Sequence, residues 1–136
     1  MKTSLKLLRC LAMAGLVAAG GGQASAADVY VIANGVAELS PEEVKEIFLG
    51  EVQFAGTHKL LPVDNAGAQA DFLAKVLKMS GAKYASAWTK KAFRDGLNAP
   101  PVRASDAEVL GFVKANPGAI GYVSSLPAGV HVVGKF

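Results

Sequence analysis

A β-branched and apolar run, Val29-Tyr30-Val31-Ile32-Ala33, leads through Asn34-Gly35 to a near-complete helix start, Leu39-Ser40-Pro41-Glu42-Glu43-Val44. The continuous apolar character of the run, bounded by Asp28 and Asn34-Gly35, predicts a buried strand. In the helix start Ser40 is the N-cap, Pro41 takes the first helical position and Glu43 closes a capping box. Leu39 can staple onto Val44; Val44, Ile47 and Phe48 then share one face, and Gly50 ends the helix. A buried strand handing over to an amphipathic helix calls for a layered fold, a sheet with helices packed on it.

The rest of the chain extends that alternation. Residues 51–58 read as a short loop or hairpin around Ala55-Gly56, and residues 59–64 as a strand that Pro62 restricts to an edge or bulge. Asn65-Ala66-Gly67 punctuates before a helix with Phe72, Val76 and Met79 on one stripe, widened by Leu73 and Leu77 and stopped by Gly81. A third helix, from about Lys83 to Arg94, turns Tyr84, Ala87, Trp88 and Ala92 inward and ends at Asp95-Gly96. Pro100-Pro101 makes residues 97–103 an extended connection. Ser105-x-x-Glu108 is a second capping box, opening a helix with Val109, Phe112 and Val113 that Asn116-Pro117-Gly118 ends. Residues 119–123 and 130–133 supply the last strands. The predicted order is β-α-β-α-α-α-β-β, one α/β domain with a small mixed sheet flanked by helices.

The stretch before the first strand follows other rules. Lys2, Lys6 and Arg9 form a positive region, and the apolar run from Leu11 to Ala19 is shorter than the ~20 residues that cross a bilayer. Three glycines follow, and Ala24-Ser25-Ala26 supplies a small-residue cleavage pattern. Residues 1–26 are therefore read as a secretory signal peptide and residues 27–136 as the domain. Cys10 has Arg9 before it and the apolar run after it, the reverse of a lipoprotein signal, so the expected product is soluble, periplasmic and without a membrane anchor.

Cleavage changes the charge balance. It removes three basic residues, taking Lys+Arg from 14 to 11 against 11 Asp+Glu. The remaining domain is formally neutral and carries no electrostatic footprint for nucleic acid or acidic membrane. The one cysteine leaves with the signal, which excludes disulfides, thiolate metal ligation and thiol redox chemistry from the mature protein. The remaining length of about 110 residues is enough for one core without staples.

No residue pattern points to catalysis, and neither a cofactor nor a metal is expected. His58 and His131 have no acidic or cysteine company at ligand spacing. Ser124-Ser125 lacks the glycine context of a nucleophile elbow and reads as a turn that ends a strand. Glu42, Glu43 and Glu46 suit the positive end of a helix dipole, and Lys90, Lys91 and Arg94 suit the negative end. Trp88 lies at helical spacing from Tyr84 and reads as core. More suggestive is Asp64-Asn65-Ala66-Gly67-Ala68-Gln69, which carries a strand end through a glycine into a helix N-terminus. Such a turn can aim backbone N–H groups at a small anion.

The motifs, taken in order, resemble a known family. Leu39-Ser40-Pro41-Glu42-Glu43-Val44-Lys45-Glu46-Ile47-Phe48-Leu49-Gly50 is similar to a segment of the periplasmic phosphate-binding proteins of ABC transporters. Leu60-Leu61-Pro62-Val63-Asp64 resembles the strand that follows there, and Trp88 with Phe93 and Gly96 a W-x-x-x-x-F-x-G element. Asn116-Pro117-Gly118-Ala119-Ile120-Gly121-Tyr122-Val123 is similar to that family's N-P-G-A-I-G-Y-V block and is the most specific part of the resemblance. The resemblance covers nearly the whole of residues 27–136.

It implies one lobe of a type II periplasmic-binding-protein-like fold, and a solute-binding module rather than an enzyme. The ligand-binding residues it suggests are Asn65, Gly67, Ala68 and Gln69, with Asn34 and Gly35 as a second contact. Two departures qualify this. The family traps phosphate between two lobes, whereas this chain has room for one, so a homodimer or another protein would supply the second wall. The family's phosphate turn carries Arg followed by Ser-Gly-Thr; here it reads Asn65-Ala66-Gly67-Ala68-Gln69, without the arginine's bidentate bonds or either hydroxyl. Weak binding of phosphate or another small anion is the expectation. The alternative is a periplasmic accessory subunit, a protein-interaction module that has lost its ligand.

Overall fold

The computed structural model describes residues 28–136; the expected signal segment lies outside them. Strand β1 (Tyr30–Ala33) forms where the β-branched run is, and it becomes a central strand. It pairs antiparallel with β7 (Ala119–Val123) on one side and β8 (His131–Lys135) on the other. The edge strand β4 (Leu61–Pro62) runs parallel to β7, giving a mixed sheet of order β4-β7-β1-β8. Pro62 sits on that edge, where a missing N–H interrupts no ladder.

The sheet is covered on both faces, which is why β1 and β7 are apolar throughout instead of alternating. On one face Val31, Ala33, Ile120 and Tyr122 pack with α1 (Pro41–Phe48), the segment around Phe72, and Tyr84 and Trp88 of α3 (Gly81–Asp95). On the other, Ile32, Val63, Ala119 and Val123 meet Val109 and Val113 of α4 (Asp106–Ala115). Phe48, Phe72 and Tyr122 are fully buried in the larger core, each side chain contributing roughly 1.5–3 kcal/mol by leaving water. Phe72 stacks on Tyr122 with ring centroids 3.9 Å apart, and Phe48 meets Phe72 edge-on at 4.7 Å.

The local start signals hold. The Ser40 hydroxyl accepts from the Glu43 N–H while Glu43 accepts from the Ser40 N–H at 2.7 Å, a closed capping box. At α4 the Ser105 hydroxyl accepts from the Glu108 N–H, but Glu108 reaches back to the Ala104 N–H at 2.8 Å instead of to Ser105. The hairpin expected around Ala55-Gly56 is present as β2 (Phe54–Ala55) and β3 (His58–Lys59).

Four expectations are corrected. The single strand over residues 59–64 is divided among β3, β4 and β5 (Asp64–Asn65), and β5 leaves the main sheet to pair with β6 (Val102–Arg103). The helix expected to run to Gly81 is α2 (Gln69–Phe72) continued by a π-helical turn, Leu73–Leu77, and it stops where Lys78 turns left-handed at φ 55°. Ser80 is already the N-cap of α3, so Gly81 opens a helix and does not close one. In α3, Ala92 faces solvent, and Phe93 of the W-x-x-x-x-F-x-G element is 95% exposed.

The Asn116–Val123 block is a packing device. Asn116 donates its amide to the Phe112 carbonyl at 2.8 Å, closing α4. Gly118 has φ +85°, and a Cβ there would strike the Lys59 carbonyl oxygen. A Cβ at Gly121 would lie 2.6 Å from Val109 Cγ1 and 2.9 Å from Val63 Cγ1, so only glycine lets α4 lie this close to β7.

Candidate functional site

The C-terminal ends of β5 and β7 meet the beginnings of α2 and α4, the end of an α/β sheet where ligands usually bind. Asn65 stands at that junction with no exposed surface. Its amide nitrogen donates to Asp106 Oδ1 at 2.7 Å and to the Tyr122 carbonyl at 3.0 Å, and its Oδ1 accepts from the Gly67 N–H at 3.0 Å. The Ala66 N–H donates to the Arg103 carbonyl and the Ala68 N–H to the Asn65 carbonyl. The amides of residues 66 to 68, expected to face an anion, are therefore taken up inside the protein. Ala68 is buried; Gln69, half-buried, begins α2.

Asp106 is the residue that sequence reasoning missed here. Besides Asn65, its Oδ2 accepts from the Ser124 N–H at 3.1 Å, the Ser124 hydroxyl at 2.8 Å and the Ser125 hydroxyl at 3.3 Å. Partial burial would push its carboxyl up, but the bonds from Ser124, Asn65 and Ser125 outweigh that and hold it below the usual carboxylate range. An ionised carboxylate thus sits among the donors of this strand end. The Ser124 hydroxyl donates to it at the turn that ends β7.

Asn34 and Gly35 are elsewhere. The Asn34 amide donates to the carbonyls of Val113 at 2.9 Å and Lys114 at 3.3 Å, the far end of α4 from Asp106. Val113 and Lys114 lie two turns of helix beyond Asp106, about 11 Å at 1.5 Å per residue. The expected second contact is thus not brought to the Asn65–Gln69 turn. Asn34 closes a helix, and Gly35, exposed with φ +73°, turns the chain away.

Behind the junction lies a buried acid. Asp64, 1% exposed, accepts from Tyr84 Oη at 2.7 Å on one oxygen and from Tyr122 Oη at 2.8 Å on the other. Burial raises its pKa, and the two tyrosine bonds only partly offset this. Both tyrosine hydroxyls are pushed far above their ordinary range by burial and by the neighbouring carboxylate.

Two cations near the end of α3 have partners. The Lys91 ammonium donates to the Leu49 carbonyl beside the Trp88 ring, and Arg94 pairs with Asp95 at 3.0 Å. A groove of about 420 Å³ lies apart from Asn65 and Asp106, lined by Trp88, Leu97, Pro100, Pro101, Leu61 and Phe112 among others. Its polar members are few, Gln53, Lys59 and Asn98, and they do not converge as the donors around Asp106 do. Among the described residues no cluster of His, Cys, Asp or Glu is arranged to hold a metal, and no helix is long and apolar enough to cross a membrane.

Solved structures share this fold. Over 79% of its length the chain is similar, at 18% identity and a TM-score of 0.58, to a Clostridium perfringens protein solved as a phosphate ABC transporter substrate-binding protein with bound phosphate. It is also similar, at 17% identity and a TM-score of 0.51 over 79% of its length, to an ABC-type phosphate transport receptor from Vibrio cholerae. The chain spans 45% of the first protein and 46% of the second. No protein-family model and no curated protein matches the sequence. The α/β fold read from the sequence is thus shared with these two phosphate-transport proteins, over slightly less than half the length of each.

Proposed function

We propose that this chain is an exported solute-binding module, one lobe of a periplasmic binding protein, whose Asn65–Gln69 turn forms one wall of a weak site for phosphate or a similar small anion. The shared fold supports a binding rather than a catalytic role. The observation that carries the weakness is the engagement of the turn's own donors: the amides of Ala66, Gly67 and Ala68 and the Asn65 side chain are all bonded within the protein. Lacking also the arginine and hydroxyls of the phosphate turn in the family it resembles, the site forgoes several charge-assisted bonds worth roughly 1.5–3 kcal/mol each. The test is calorimetric titration of phosphate into protein purified from cells that express the full chain. A Kd between high micromolar and millimolar, about −4 to −6 kcal/mol, is expected. Nanomolar affinity would overturn the reading.

A second reading, an accessory subunit that binds protein and not solute, is favoured by the groove beside Trp88. Its mostly apolar lining of Leu61, Leu97, Pro100 and Pro101 suits a side chain better than an anion. Pull-down from periplasm with the purified protein, repeated with Leu97→Asp in the groove, separates the two readings: a partner lost in the variant favours the accessory role.

A further inference from the structure

The geometry points to Asp106 as an intramolecular occupant of the anion position at this strand end, an autoinhibitory contact that keeps external oxyanions out. The inference rests on the solute-binding reading and explains what lowers affinity there. Four donors from three residues, the Asn65 side-chain amide, the Ser124 N–H and the Ser124 and Ser125 hydroxyls, converge on one carboxylate within 2.7–3.3 Å. They come from different parts of the fold: Asn65 ends β5, and the two serines follow β7. Amide, backbone N–H and hydroxyl donors meeting on a two-oxygen anion are the kind of set that a phosphate or sulfate oxygen pair would use.

Asp106 reaches them from the first position of α4, beside the N-cap Ser105. Its negative charge also complements the positive end of the helix dipole, so both attractions available to an external anion are already used. An arriving oxyanion meets a fixed like charge and donors that are spent. A neutral side chain at 106 removes the charge, and a short one also vacates the donors.

The test compares full-chain protein with Asp106→Ser and Asp106→Asn, titrating inorganic phosphate and sulfate at constant ionic strength by calorimetry, with thermal unfolding followed in parallel. Asp106→Ser is expected to bind at least ten-fold more tightly than the unsubstituted protein, and Asp106→Asn, which keeps the shape and loses the charge, to show a smaller gain. A folded Asp106→Ser with unchanged affinity overturns the inference; if that variant fails to fold, an unchanged Asp106→Asn does so. Tight phosphate binding by the unsubstituted protein defeats the weak-site reading itself, whereas weak binding by all three forms defeats only the role of Asp106.

Discussion

Asn34 donates its side-chain amide to the Val113 carbonyl at 2.9 Å across 79 residues of sequence, tying the end of β1 to the end of α4. The backbone completes the joint: Asn34 N–H donates to the Ala119 carbonyl, and Gly118 N–H donates to the Asn34 carbonyl. An amide side chain here satisfies helix-end carbonyls that would otherwise lack a protein donor. Asn34→Ala is expected to lower unfolding free energy by about 1–2 kcal/mol while leaving phosphate affinity unchanged. Denaturant titration and calorimetry on the same sample check both halves. A large affinity loss without a stability loss would return Asn34 to the ligand site.

Gly121 sets the distance between β7 and α4. Gly121→Ala places a methyl within 3 Å of Val109 and Val63, both without exposed surface. Overpacking of this kind costs about 1–3 kcal/mol. A fall in Tm of several degrees is expected, and restoration of part of it by adding Val109→Ala would identify the clash as the cause.

What was legible in the sequence was local. Ser40 and Glu43 lie three residues apart, so their capping box is visible without a fold, and the same spacing marked the start of α4. The Asn116–Val123 block was recognisable as one contiguous run of residues, and the structure shows its two glycines to be sterically required. Partnerships across the chain were not legible. Asp64 was read as a strand end, although an acid closing the apolar run Leu60-Leu61-Pro62-Val63 was a signal of burial; its partners Tyr84 and Tyr122 are 20 and 58 residues away. Asp106 was hidden beside Ser105, where helix capping already accounted for an acid. The π-helical turn Leu73–Leu77 had no signal at all, since it keeps the same apolar residues inward as an α-helix would.

The signal peptide carries its own prediction. Intact-mass spectrometry of periplasmic protein is expected to show a chain beginning at Ala27. A membrane-retained species with lipid on Cys10 would refute the cleavage expected from Ala24-Ser25-Ala26.

A lobe with one wall leaves its ligand open to water, and a good small-molecule pocket buries roughly 70–90% of its guest. Binding at sub-micromolar affinity should therefore require a second surface, from another copy or another protein. Light scattering combined with a ligand screen at equal protein concentration checks this; a strict monomer that binds a small solute tightly would refute it. If a dimer forms through the Gln69 face, Gln69→Arg should weaken it by opposing like charges.

Asp64 and Asp106 should give the protein an acid response composed of two opposite parts. Asp64 has a pKa raised above its ordinary 3.8, with burial as the main cause. Its contribution is fully present below about pH 3.8, where it is neutral in both states, and is lost as pH rises through the folded value and a buried charge must be held. Asp106 has a lowered pKa, so its contribution is present above that range and lost as pH falls through its folded value. Asp64→Asn removes only the first part. The unfolding free energy of the unsubstituted protein, relative to Asp64→Asn, should then be largest near about pH 3 and decline toward neutrality, by about 1.4 kcal/mol for each pKa unit by which the fold raises Asp64. Urea titrations of both proteins across that range measure it. A difference that does not vary with pH would mean that Asp64 ionises as easily between Tyr84 and Tyr122 as in the unfolded chain.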